Sequence, residues 1–124
     1  MSNRVLVYKS TYEEVWADEP NPDNGNASHE FTFHYFDSPT SRDSDTLYFQ
    51  EGPISEVGVN GVTNEAVIAA VKARLEGFQS SPYACEENAV ALAGLQMALE
   101  ALEARTKRRK KEGVEGTHKL DKKK

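Results

Sequence analysis

A single cysteine, Cys85, is the whole thiol inventory of this 124-residue chain, so neither an intrachain disulfide nor a cysteine-based metal cluster can form. Long apolar runs are missing as well. The longest, residues 67–71 and 89–95, fall far short of a membrane span, which predicts a protein without membrane attachment. The opening MSNRVLVYKS lacks the apolar stretch of a secretory signal. The expected compartment is therefore the cytosol, and the Asn26-Ala27-Ser28 sequon is idle. Apolar residues make up only 38% of the chain and mean hydropathy is −0.66. At 13.8 kDa there is room for one domain, or one domain with an appendage. A monomer of this composition has a thin core, so self-association is expected to help hold the fold.

Catalytic constellations are also absent. No glycine-rich segment has phosphate-loop or dinucleotide spacing, and no serine sits in a nucleophile elbow. His29 and His34 lie five positions apart, so on one strand they point to opposite faces; His118 is far from both. Glu86-Glu87 and Glu100/Glu103 read as solvated helix charges. The expectation is a protein that is not an enzyme and needs no cofactor or metal.

What the chain does have is an uneven charge. Residues 105–124 hold ten basic and three acidic side chains, a local +7, while the other 104 residues carry −12; the total is −5. An acidic body thus ends in a basic segment suited to an anion. The plainer reading is a solvated helix end whose cations complement the macrodipole.

Periodicity divides the chain. Residues 4–9, 29–37 and 46–50 read as strands, with Phe31, Phe33 and Tyr35 sharing one face of the second, and residues 54–59 as a weaker fourth. Residues 16–28 and 38–45, rich in Asp, Asn, Pro, Ser and Gly, read as mobile loops. After Asn60-Gly61 the period changes. Thr63 can cap a helix on which Val67, Ile68, Val71, Leu75 and Phe78 share a face. Ser80-Ser81-Pro82 breaks it, and from Pro82 to about Lys111 nothing stops a second helix except the mild cost of Gly94. That helix carries a heptad seam through Cys85, Asn88, Leu92, Leu95, Leu99, Leu102, Thr106 and Arg109, beside a small-residue stripe of Ala91, Gly94, Ala98 and Ala101. The expected fold is α+β: a small N-terminal antiparallel β-sheet (1–60), a long helical hairpin (61–112) and a closing segment with a basic tail (113–124), in an oligomer.

Four side chains around that hairpin make a nucleotide-binding set. Phe78, just before the turn, can stack on a base; Asn88, just after it, can pair with a base edge; Arg105 and Arg109, one turn apart, can clamp phosphate. Singly they have duller readings as a core ring, a register-setting amide and helix-end cations. Asn88 and Arg105 are 17 positions apart, about 25 Å along a helix, so one chain cannot bring both to one small ligand. Two antiparallel copies can, with a two-fold axis between Gln96 and Met97 and two equal pockets.

At these residues the sequence resembles a known family. Phe49-Gln50-Glu51-Gly52-Pro53-Ile54, Glu56-Val57-Gly58-Val59-Asn60-Gly61, Arg74-Leu75-Glu76-Gly77-Phe78-Gln79 and Gly113-Val114-Glu115-Gly116-Thr117-His118 are similar to phage anti-Thoeris sponges of the first-described type. The helical hairpin is shared with a phage anti-CBASS sponge. The resemblance spans about residues 46–119. It implies a non-enzymatic protein of the infected host's cytoplasm that sequesters cyclic ADP-ribose-type signals, glycocyclic ADP-ribose in Thoeris, with cyclic oligonucleotides a second ligand class. It also implies dimers that can assemble further into hexamers. By motif, Phe78, Asn88, Arg105 and Arg109 match ligand-contacting positions, and Val114 and Thr117 would contact the ligand from a segment closing over it. One departure is Glu86, where the family turn commonly has arginine; this removes a positive charge that a cyclic oligonucleotide would use. The rival from another class is a basic-tailed, nucleic-acid-binding regulatory module.

Overall fold

Alternating side chains draw residues 30–38 into the central strand of a four-stranded antiparallel meander. The strands are β1 (Val5–Lys9), β2 (Glu13–Ala17), β3 (Glu30–Ser38) and β4 (Ser41–Tyr48), in the order β1-β2-β3-β4. The computed structural model describes residues 3–38, 40–115 and 117. It divides between Gly61 and Val62 into two units, the sheet with its loops and the helices. The architecture is α+β, a small sheet followed by long helices.

Three local readings change. Residues 13–17 are a strand, and β4 begins five residues earlier than its apolar stretch suggests. An edge strand paired along its length with β3, as in Phe31↔Leu47 and Tyr35↔Asp43, needs little apolar alternation of its own. Residues 54–59 are not a strand. Ile54–Val57 form a short helix, α1, with Gly58 at φ +76° ending it. The face of β3 carrying Phe33 and Tyr35 is the more open one, while Thr32 on the other face is 6% exposed. Tyr35 donates to Asp45 Oδ2 at 2.8 Å, and this bond raises the phenol above its ordinary value, because it favours the protonated ring hydroxyl.

The loops of this unit are ordered by side-chain amides and carboxylates. Asp18 Oδ1 accepts from the backbone of His29 (2.9 Å) and Glu30 (3.2 Å), closing residues 18–30 on themselves. The Asn60 side chain pairs with both the N–H and the carbonyl of Glu51 (2.8 and 2.7 Å). Gln50 accepts from the Asn60 N–H at 3.0 Å and donates to the Gly58 carbonyl at 2.8 Å. So the FQEGPI and EVGVNG stretches brace a loop, with its backbone donors satisfied locally. Gly61 completes the brace. A Cβ there would stand 2.4 Å from the Phe49 carbonyl carbon and 2.6 Å from the Tyr48 oxygen. Gly61→Ala is therefore expected to destabilise this unit by about 1–3 kcal/mol, the usual range for forced overpacking. A thermal melt lowered by several degrees checks it.

In the second unit Thr63 caps α2 (Asn64–Gln79) by accepting from the Ala66 N–H at 3.1 Å. α3 runs Glu86–Glu112, about 40 Å, and ends at Gly113 with φ +75°. It starts four residues later than Pro82. That proline sits in a turn closed by Ala84 N–H to the Ser81 carbonyl at 3.1 Å, where its fixed φ serves as well as at a helix start. Among the described residues Ala17 and Val114 are the apolar side chains nearly fully buried, at 2% and 4% exposed. The core is thin, as composition implies. No helix among the described residues is long and apolar enough to cross a membrane.

Candidate functional site

The heptad seam of α3 turns out to face its own hairpin partner. Asn88, Leu92, Leu95, Leu99, Leu102, Thr106 and Arg109 are each at least half-covered, and so are Glu65, Ile68, Lys72, Leu75 and Gln79 on α2 at the same alternating spacing. Two polar ties fix the register. At the turn, Gln79 accepts from the Cys85 N–H (2.9 Å) and donates to the Cys85 carbonyl (3.0 Å); at the far end, Thr106 donates to Glu65 Oε2 at 3.2 Å. The seam was expected to invite a second chain. Instead α2 uses it, and the outer surface of α3, with Val90 68% and Met97 70% exposed beside Ala91, Gly94 and Ala101, is what stays open.

Phe78 and Asn88 both lie at the turn end. Phe78 is 36% exposed, too open for a core ring, and the Arg74 guanidinium sits 5.1 Å from its ring centroid. Asn88 is half-buried in the first turn of α3. Glu86 and Glu87 precede it, where carboxylates complement the positive helix end, so Glu86 has a structural use in that place.

Arg105, Arg109, Val114 and Thr117 collect at the opposite end. Arg105 is exposed and has no hydrogen bond or ion pair among the described residues. Arg109 is its opposite, 5% exposed. Its Nη2 donates to the carbonyls of Val114 (2.9 Å) and Thr117 (3.4 Å), and its Nε to Glu115 Oε1 (3.2 Å). The chain reverses at Gly113, folding Val114 back so that its N–H meets the Arg109 carbonyl at 3.0 Å. Thr117 Oγ1 in turn donates to the Val114 carbonyl. Arg109 thus pins the segment that was expected to close over a ligand. Sequence reading saw a helix-end cation or a phosphate clamp there; only the glycine reversal followed by Glu115 hinted at an internal partner. Gly116, His118 and the Lys-rich end lie outside the described residues.

One protomer therefore places Phe78 and Asn88 at the turn end of the hairpin and Arg105 and Arg109 at the other, with Asn88 and Arg105 about 25 Å apart along a continuous helix. Among the described residues no group of three His, Cys, Asp or Glu side chains could hold a metal.

Comparison with known proteins bears on the same stretch. The family model described as Acb2/Tad1, hairpin domain, matches residues 44–107, slightly more than half of the chain, including Phe78, Asn88 and Arg105. Thoeris anti-defense 1 of Bacillus phage SBSphiJ7 is 52% identical over 73 residues, covering 59% of this chain and 51% of that protein. The chain spans about half the length of this curated relative.

Proposed function

Because the chain belongs to the Acb2/Tad1 hairpin-domain family, we propose that it is a phage anti-defence sponge, non-enzymatic, that captures cyclic ADP-ribose-type immune signals in the cytoplasm of the infected host. The observation that carries this reading is the pair of complementary clusters at the two ends of the α2–α3 hairpin. An open aromatic ring with a half-buried amide suits a base, and an arginine with no partner among the described residues suits phosphates. The 52% identity to a Thoeris anti-defence protein supports the same direction. Antiparallel pairing of two hairpins would join the clusters as half-sites. Phe78 and Asn88 of one protomer would then take the base, and Arg105 of its partner the phosphates. Arg109 would act by holding Val114 and Thr117 against the ligand. Assembly of such dimers into hexamers belongs to this reading. Cyclic oligonucleotides are the weaker ligand class, since Glu86 adds negative charge at the turn.

Native mass spectrometry with glycocyclic ADP-ribose tests ligand and stoichiometry together; two ligands per dimer is the expected result. A basic-tailed nucleic-acid-binding module would instead bind polyanions with a steep loss in rising salt. Phe78→Ala is expected to weaken capture by about 1–3 kcal/mol, the worth of one stacked base, while leaving the melting temperature and the dimer unchanged. Calorimetric titration reads the first and size-exclusion chromatography the last. Capture at full strength in that variant removes the stacking role.

A further inference from the structure

The sheet has a second collection of binding chemistry, far in sequence from the hairpin and not used by it. Residues 1–61 contain three basic side chains, Arg4, Lys9 and Arg42, against eleven acidic ones. Strand register places Lys9 (opposite Glu14) and Arg42 (opposite Phe36) on one face of the sheet, the face that also carries Trp16 and His34. Arg4 reaches onto that face to donate to Thr32 Oγ1. Alternation along β4 sends Asp43 and Asp45 to the other face, opposite Tyr35 and Phe33. An acidic lobe has thus gathered its few cations on one side.

On that side lies an open groove of about 380 Å³, lined by Arg4, Glu14, Trp16, His34 and Arg42. Its volume is in the range of small-ligand sites. Each wall residue offers a distinct contact. Arg42 is exposed and makes no ion pair or hydrogen bond among the described residues. Arg4 is held by the Thr32 hydroxyl and, loosely, by Glu30 Oε1 at 3.9 Å, which leaves most of its five N–H donors uncommitted. Glu14, the groove's acid, accepts from the Trp16 Nε1–H at 3.0 Å, which fixes the indole plane; its one negative charge is set against the two arginines of the groove. The Nδ1 of His34 is covered and has no hydrogen-bond partner among the described residues. A partner for the imidazole would have to come from a ligand in the groove that His34 lines.

A bare anion would need the arginines but not the indole; a hydrophobic ligand would need the reverse. We propose that the groove is a second ligand site, separate from the hairpin, for a nucleoside phosphate. The base stacks on Trp16 and the phosphate is held by Arg42 and Arg4, with His34 making a further hydrogen bond. The site is complete within one protomer and needs no partner chain.

Trp16 is the sole tryptophan of the sequence, so intrinsic fluorescence reports on the groove directly. The full-length protein would be titrated with ADP, with adenosine and with inorganic phosphate. Expected is a saturable change with ADP at sub-millimolar to millimolar concentration, with each half-ligand much weaker. Arg42→Gln, at an exposed edge-strand position, should melt as the parent does yet bind ADP about tenfold more weakly, the usual loss for one charged hydrogen-bond donor. Asn88→Ala should leave the response intact. Four results would each overturn the proposal: no saturable change at millimolar ADP, equal affinity for phosphate and ADP, an unaltered response in Arg42→Gln, or loss of the response in Asn88→Ala.

Discussion

Arg109→Ala is expected to release the segment after α3 and, with it, ligand capture, while the α2–α3 hairpin stays helical. The guanidinium is 5% exposed and makes charge-assisted bonds to the carbonyls of Val114 and Thr117 and to Glu115. Bonds of this kind contribute about 1.5–3 kcal/mol each, though they are not additive, so a loss of about 3 kcal/mol in local ordering is reasonable. Unlike a fully buried pair, Glu115 has a side chain 32% exposed, so water can solvate the orphaned carboxylate and the damage stays local. Faster amide exchange at Val114, Glu115 and Thr117, with an unchanged far-ultraviolet helix signal, checks the pinning. A fall in affinity of about a hundredfold checks the closing role. Arg109→Lys should recover little, because an ammonium cannot reproduce the fork that spans two carbonyls and a carboxylate. Arg105→Ala separates the two functions. Its side chain is exposed and has no partner among the described residues, so exchange in the segment should not change although capture falls. If exchange rises in Arg109→Ala while capture persists, the segment does not cover the ligand.

How much of this was legible depended on whether a pattern names its own partner. The α3 seam could be read from Asn88 onward, while Cys85, its expected first position, is the exposed N-cap outside the helix. What covers it could not be read, because a stripe looks the same whether α2 or another chain packs on it; Gln79 bonded across the turn to Cys85 is what decides the matter. β3 announced itself by alternation. β2 and the first half of β4 did not, because SRDSDTLY takes its conformation from β3 and keeps its polar side chains in water. Residues 54–59 read as a strand, yet Pro53 and Gly58 bracket a single helical turn over Ile54–Val57. At the site, Phe78, Asn88 and Arg105 could be singled out by type and position. Arg109 could not be placed, since its burial follows from a reversal at Gly113 that only the folded chain reveals. The groove on the sheet escaped as well: Arg4, Trp16, His34 and Arg42 are distant in sequence and meet only through register.

The largest effect is expected where two inactive chains are mixed. Asn88 and Arg105 both belong to one unbroken helix, which holds them about 25 Å apart in any protomer. With α2 on the heptad seam, the surface left for a second chain in the proposed dimer is the outer one, where Val90, Gly94, Met97 and Ala101 repeat at steps of four, three and four. The middle of that stripe lies next to the point between Gln96 and Met97 about which positions 88 and 105 exchange in an antiparallel pair. A two-fold axis there would bury the open stripe and set each Asn88 level, along the helix, with the other chain's Arg105. Asn88→Ala and Arg105→Ala homodimers should each fail to capture ligand, as every pocket in them lacks one contact. In a mixed dimer one pocket takes intact Asn88 from one chain and intact Arg105 from the other, and the second pocket collects both defects. Subunit exchange at equal concentrations makes half of the dimers mixed, so capture should recover to about one quarter of the wild-type number of sites. Native mass spectrometry counts the mixed dimers and their ligands in one spectrum. Mixed dimers that carry no ligand would mean that the two half-sites do not meet across this axis, and Arg105 would then stand as a solvated cation at a helix end.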